Sequence, residues 1–391
     1  MTILLTNKMT SLNLTLLKRL LQCQSITPRD DGALTLLANY LTNLNFTVIE
    51  KTFGEGPEEV KNLYASLTKD PEGRTFCFAG HTDVVPPGNL EAWTYQPFSA
   101  TIAEDRIFAR GAQDMKGAIV AFISALETFL EQDLPFGTIS LLLTGDEEKV
   151  AKYGTEPMLK FLTQEGIKID SALVGEPVSK KRLADNIKIG ARGSATFQVA
   201  IQGKQGHVAY EGATKNPVKD LSKLLSALYN HPFQIEEDSI FSKTNLEVTK
   251  IACDSGATNI VPDNLLMQFN FRYSDQDNYE TLKLLVQNIA EKELEAYQIQ
   301  SSSSGDAALW LKRESPFLQL AKEVIQNMTG SEPEVSTYGG TSDARFIRHY
   351  CETLEIGLVG DKAHQIDESV SIAELEGLTE LYLELLKRYF K

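Results

Sequence analysis

The sequence predicts an α/β protein, a mostly parallel sheet covered on both faces by helices and interrupted by an inserted α+β segment. Two observations carry this reading. Apolar runs at 75–79, 139–143 and 171–174 each end in polar or acidic residues and alternate with helical stretches, the pattern of buried parallel strands joined by crossover helices. After about Arg192 the texture changes to alternating strands mixed with helices, and beyond the serine-rich stretch 301–305 the first texture resumes. That stretch reads as a linker. The expected boundaries are 1–191 and 306–391 for the interrupted domain and 192–305 for the insertion.

A chain of 391 residues suits roughly two or three domains. Its 53 acidic against 38 basic residues give a net charge of -15, which argues against nucleic acid or an anionic membrane as partner. No apolar run is long enough to span a membrane, and 1–8 lack the regions of a signal peptide, so the expected location is the cytoplasm. Cys23, Cys77, Cys253 and Cys351 form no CxxC pair and read as reduced, mostly buried thiols.

Taken in order, leucines at helical spacing predict a helix at 11–22, and another follows at 34–44. Strands are expected at 46–53 and 62–67, then at 75–79, which leads into His81 and Asp83. Residues two apart in extended chain point the same way, so Asp83 either orients His81 or shares its task; a surface-loop histidine beside a turn aspartate is the plainer alternative. Asp114 precedes the helical stretch 118–131 and is most simply its N-cap. Strand 139–143 runs into Asp146, Glu147 and Glu148. Consecutive acids repel one another unless a cation sits among them or a helix N-terminus favours them. A helix at 156–165 leads to strand 171–174 and Glu176. The insertion reads as strand 194–203, helix 216–229, strands 245–252 and 265–273 and helix 279–295, with one sheet face open. Helix 317–328, a turn at 338–343, a strand near 354–359 and helix 373–389 complete the chain.

The carboxyl ends of parallel strands share one edge, and ligands bind in the crevice beyond it. That crevice would collect His81, Glu147, Glu148 and Glu176. Of the remaining histidines, His231 before a proline and His349 among Arg345, Arg348 and Tyr350 read as solvated, while His364 returns to the crevice edge near Asp361. Zinc takes a small number of His, Asp and Glu donors, and His81, Asp114, Glu148, Glu176 and His364 would serve two such ions with Asp114 bridging. Two divalent ions against three carboxylates leave a net positive charge that favours hydroxide over water as the remaining ligand. Glu147, beside a ligand, would then be free to take a proton. Neither a GxGxxG or Walker loop nor a GxSxG elbow occurs.

The segments AGHTDVVPPG, ARGAQDMKG, LLLTGDEE, VGEP, KQGHVAY, GATNIVP, GGTSDARF and AHQIDE, in this order from about Leu17 to the C-terminus, resemble the aminoacylase and carboxypeptidase family of co-catalytic zinc amidohydrolases. The resemblance implies a zinc-peptidase-like catalytic domain holding two zinc ions per subunit, with cobalt as an alternative. One ion would be held by His81 and Glu176, the other by Glu148 and His364, with Asp114 bridging, Glu147 as general acid/base and Asp83 behind His81. It also implies a cis peptide at Asp114–Met115 and a homodimer formed by the insertion, in which His207 crosses to the partner's site with Asn259. Lys188, Arg192, Ser194, Tyr210, Gly340 and Thr341 would contact substrate. The substrate is then a small acylated amino acid: N-succinyl-LL-diaminopimelate is the narrower expectation, N-acetylornithine or another acylated amino acid the alternative. A metal-binding dimer without catalysis would lack Glu147, which is present. Three departures from the family's usual residues, Ala191 for an arginine, Glu211–Gly212 for a Pro-His pair and Gly360 or Asp361 for an asparagine, all touch substrate binding.

Overall fold

The run 139–143 forms the middle of strand Thr138–Thr144, buried on both faces as its lack of alternation requires. The computed structural model describes residues 12–149, 151–210 and 212–391; 1–8, read above for a signal, and Glu211 lie outside them. Thr138–Thr144 belongs to an eight-stranded sheet in the order Thr47–Phe53, Val60–Thr68, Thr138–Thr144, Thr75–His81, Ser171–Val174, Glu352–Glu355, Asn186–Lys188, Glu334–Ser336. The central neighbours are parallel, from Thr138–Thr144 through Thr75–His81 and Ser171–Val174 to Glu352–Glu355, while Thr47–Phe53 and Val60–Thr68 are antiparallel at one side. In this register His81 lies opposite Thr144, and Val174 opposite both Ala79 and Glu355. Four strands therefore end along one edge.

Helix Lys116–Glu131 is apolar nearly all round and correspondingly buried. Helix Ile372–Tyr389 packs on it, and Phe78 of the sheet stacks on Phe122 at 4.4 Å between ring centroids. Its N-cap position is Met115, with no side-chain cap, so the N-cap role expected of Asp114 is not observed; that carboxylate is turned to His81 and His364 instead. The Asp114–Met115 peptide is cis. Gly80 and Gly175 leave room for Met115, since a Cβ on either would stand within 3 Å of its methyl carbon. The chain between the last strand and helix Ile372–Tyr389 also pairs, as Ser369–Ser371 joins Arg106–Phe108 and Thr101–Ala103 in a three-stranded sheet.

Two compact units divide the chain, one made of the described residues up to Ile189 with Trp310–Ser336 and Ser342–Lys391, the other of Gly190–Leu309 with Thr337–Thr341. The second unit is built on an antiparallel sheet in the order Asn245–Ala252, Asn264–Tyr273, Gly193–Gln202, Tyr297–Gly305. Alternate residues Ala195, Phe197, Val199 and Ile201 point into a core shared with Leu224 and Leu228 of helix Pro217–Tyr229 and Val286 and Ala290 of helix Tyr279–Glu293. Serines 301–304 are not a linker. They form the edge strand of this sheet, with Ser301 opposite Phe197 and Ser303 opposite Ala195. Backbone pairing holds them there although their side chains have little to bury, so composition alone pointed elsewhere.

Candidate metal centre

At the shared strand edge the first unit gathers His81, Asp83, Asp114, Glu147, Glu148, Glu176 and His364. His81 ends its strand 1% exposed. Its Nδ1 donates to the carbonyl of Asp83 at 2.9 Å, which leaves Nε2 facing Asp114 Oδ1 at 3.2 Å and Glu176 Oε1 at 3.7 Å. His364 is nearly half exposed at 48% and holds a left-handed backbone, φ 63°. Its Nε2 faces the other Asp114 oxygen at 3.2 Å and Glu148 Oε1 at 2.9 Å. Each oxygen of Asp114 therefore meets a different histidine, as a bridging carboxylate would require.

The three consecutive acids do separate work. Asp146 turns inward and accepts the N–H groups of Lys152 and Tyr153 at 2.9 and 2.8 Å, which shapes the turn. Glu147 and Glu148 have their own N–H groups held by the two oxygens of Asp83, at 3.3 and 3.2 Å, so one buried residue fixes His81 through its carbonyl and the acid pair through its carboxylate. Donor atoms of His81, Glu147 and Glu176, and of His81, Asp114 and Glu148, each lie mutually within 4.8 Å.

Burial alone would lower the proton affinity of His81, but its hydrogen bonds to Asp114 and Asp83 outweigh this and hold its pKa well above the ordinary value. Hydrogen bonds to Asp114 and Glu148 raise His364 to about 10. Burial pushes Glu147 and Glu176 well above the usual carboxylate range, against the pull of His81. Burial acts in the same sense on Asp114, yet the two histidines hold it below its ordinary value. Carboxylate oxygens and imidazole nitrogens thus converge in sites that favour a shared cation. Nitrogen and oxygen donors without thiolates, with the His81 tautomer fixed from behind, fit a divalent metal such as zinc.

Lys188 is buried with its ammonium 2.9 Å from Glu355. The other expected residues belong to the second unit. Arg192 donates to Asn245 at 2.9 Å, and buried Ser194 accepts from Asn270 at 3.2 Å. Exposed His207 lies 5.5 Å from the Tyr210 ring, and its neighbour Val208 donates to the carbonyl of Asn259 at 3.0 Å. The N–H of Ala209 donates to His207 Nδ1 at 3.1 Å, which assigns the ring proton to Nε2. Gly340 and Thr341 lie on the 337–341 stretch.

Sequence reasoning missed Arg110, Gln113, Asp343 and Glu368. Asp343 is buried and accepts from Thr144 and Thr155 at 3.1 and 2.5 Å. Arg110 and Glu368 form a buried ion pair at 2.7 Å. All four lie within or beside the quoted motifs, but only the tertiary structure shows their partners. The third departure has a structural account at both of its alternative positions. A Cβ at Gly360 would stand 2.5 Å from the carbonyl oxygen of Pro177, and Asp361 accepts from Gln113 at 2.9 Å.

Solved metallopeptidases share this fold. The M20 family metallo-carboxypeptidase of Sulfolobus solfataricus matches 96% of this chain and 98% of its own at TM-score 0.78 and 20% identity. A tripeptidase of Staphylococcus aureus matches 96% of each chain at TM-score 0.77 and 20% identity. The family model described as peptidase family M20/M25/M40 matches residues 77–388, and the chain belongs to that family. Among curated relatives, the succinyl-diaminopimelate desuccinylase of Rhodopseudomonas palustris is 40% identical over 97% of this chain and 98% of its own length. That of Rhodospirillum centenum is 41% identical over 96% of each.

Proposed function

We propose that the chain is a metal-dependent amidohydrolase that cleaves N-succinyl-LL-diaminopimelate to succinate and LL-diaminopimelate. The observation that carries this is near-full-length identity of about two residues in five to enzymes of that name. It favours the succinyl substrate over N-acetylornithine or another acylated amino acid.

In this reading one cation is held by His81, Glu176 and Asp114 and a second by Asp114, Glu148 and His364, zinc being the first candidate and cobalt the alternative. When bound, such a pair acidifies water and polarises an amide carbonyl. Glu147, fixed by Asp83 through its N–H, takes the proton of the attacking water and passes it to the leaving amine as the C–N bond breaks. His207, with its proton on Nε2, donates to the developing oxyanion. Lys188, Arg192, Ser194, Tyr210, Asn259, Gly340 and Thr341 are assigned to the substrate's carboxylates and amide. The enzyme is taken to work in the cytoplasm as a homodimer built on the 192–305 insertion, with His207 of one subunit serving the other's site. No helix among the described residues is long and apolar enough to cross a membrane.

The test is to strip the protein of metal, return zinc stepwise, and assay N-succinyl-LL-diaminopimelate beside N-acetylornithine. Zinc-dependent release of succinate is expected. Release of acetate alone would keep the hydrolase and discard the succinyl substrate, and zinc-independent turnover would overturn the metal mechanism.

A further inference from the structure

Asp114 and His364 sit in turn segments, whereas His81 ends a strand of the sheet. Something other than the sheet must fix their separation. Glu368 accepts the N–H groups of Gln113 and Asp114 on one oxygen at 2.9 and 3.2 Å, and Arg110 on the other at 2.7 Å. Arg110 also donates to the carbonyls of Gln365 and His364 at 3.1 and 3.3 Å. Gln113 completes the clasp: its amide nitrogen donates to Asp361 at 2.9 Å and its amide oxygen accepts the N–H of Lys362 at 2.7 Å. The side chains of the ion pair are 3% and 1% exposed, and the Trp93 ring lies 5.3 Å from the guanidinium. A buried ion pair adds little net stability by itself, because desolvation offsets the attraction. Here its hydrogen bonds run to the backbone on either side of two candidate ligands.

We propose that Arg110, Gln113 and Glu368 are positioning residues that set the approach of Asp114 to His364, and so govern the affinity of the cation held by Asp114, Glu148 and His364. The inference rests on the two-cation reading above. His81 is supported separately, by its strand and by the carbonyl of Asp83, so the other cation should be affected less.

The experiment titrates the metal-stripped full chain with zinc against a chromophoric chelator, in wild type, Glu368→Gln and Gln113→Ala. Wild type should bind two zinc ions. Glu368→Gln should retain one step and weaken the other by about 10- to 100-fold, the usual effect of losing a group that orients a ligand. Gln113→Ala should weaken the same step by less. Unchanged affinity at both steps in both variants, or equal loss at both, would overturn the proposal. If Glu368→Gln does not fold, Gln113→Ala, which leaves the ion pair in place, decides by the same criteria. Fewer than two ions on wild type would overturn the two-cation reading itself.

Discussion

The two units bury different things. The unit with the metal centre encloses His81, Asp83, Arg110, Lys116, Asp146, Lys188, Asp343, Glu355 and Glu368, whereas Asp220 is the one charged residue buried in the other unit among the described residues. In the second unit aromatic packing takes that place: Phe197 stacks on Phe269 at 5.5 Å and meets Phe271 edge-on at 5.6 Å. Burying charge is costly unless every group is partnered, so its concentration in one unit marks where stability has been given up for chemistry. Substitutions in the two units should therefore fail in different ways.

The largest separation should come from Glu147→Gln, which keeps the size of the side chain and removes its basicity. Turnover should fall by about 10²- to 10⁴-fold while metal analysis still finds both ions. Activity within tenfold of wild type would remove Glu147 from proton transfer. Its counterpart in the second unit is Phe269→Ala, where a fully buried ring is lost from a packed cluster. Chemical denaturation should show a loss of about 3–5 kcal/mol with metal content unchanged.

Removing metal sharpens the contrast further. A ligand that binds only the folded state contributes about 2.7 kcal/mol when present at a hundredfold over its Kd, so a chelator should lower stability. Hydrogen exchange should then quicken at 81–84, 113–116, 146–148 and 361–368, with little change in strands Gly193–Gln202 and Asn264–Tyr273. Equal change in both units would contradict a metal centre confined to the first. A related variant, His364→Asn, alters a side chain nearly half in solvent; it should cost metal, and because it also removes the imidazole shared by Asp114 and Glu148, it should lower the denaturation midpoint of the metal-free protein, though by less than Phe269→Ala.

The comparison also shows what a sequence makes legible. The central strands were readable because unbroken apolar runs have few other uses, and the acids at their ends pointed to the site. Tyr297–Gly305 was not readable, since its pairing with Gly193–Gln202 is a backbone matter and its exposed serines carry no apolar signal. Asp114 looked like a helix cap because its neighbours in sequence are helical, while its partners His81 and His364 are distant in sequence. Arg110 and Glu368, 258 residues apart, have no local pattern at all. Position along the chain revealed which groups could do chemistry; what holds them in place is tertiary.

The smallest expected effect needs no substitution. Cys77 lies within the strand that ends at His81, fully enclosed, and burial pushes its thiol up to about 12. Cys253 is exposed just beyond strand Asn245–Ala252 of the second unit. The thiolate is the species that reacts, and at pH 8 a thiol of pKa about 12 is ionised roughly once in 10⁴ molecules. A maleimide reagent should therefore label Cys253 in the native protein and spare Cys77 until the chain unfolds. Labelling of Cys253 should quicken as pH rises, because deprotonation precedes attack. Cys77 is shielded by packing as well as by protonation, so raising the pH within the range of stable folding should not bring its rate up to that of Cys253. If peptide mapping found the two labelled at similar rates under native conditions, the strand carrying His81 would be opening on the timescale of the reaction, and the rigid support assigned to that histidine would have to be abandoned.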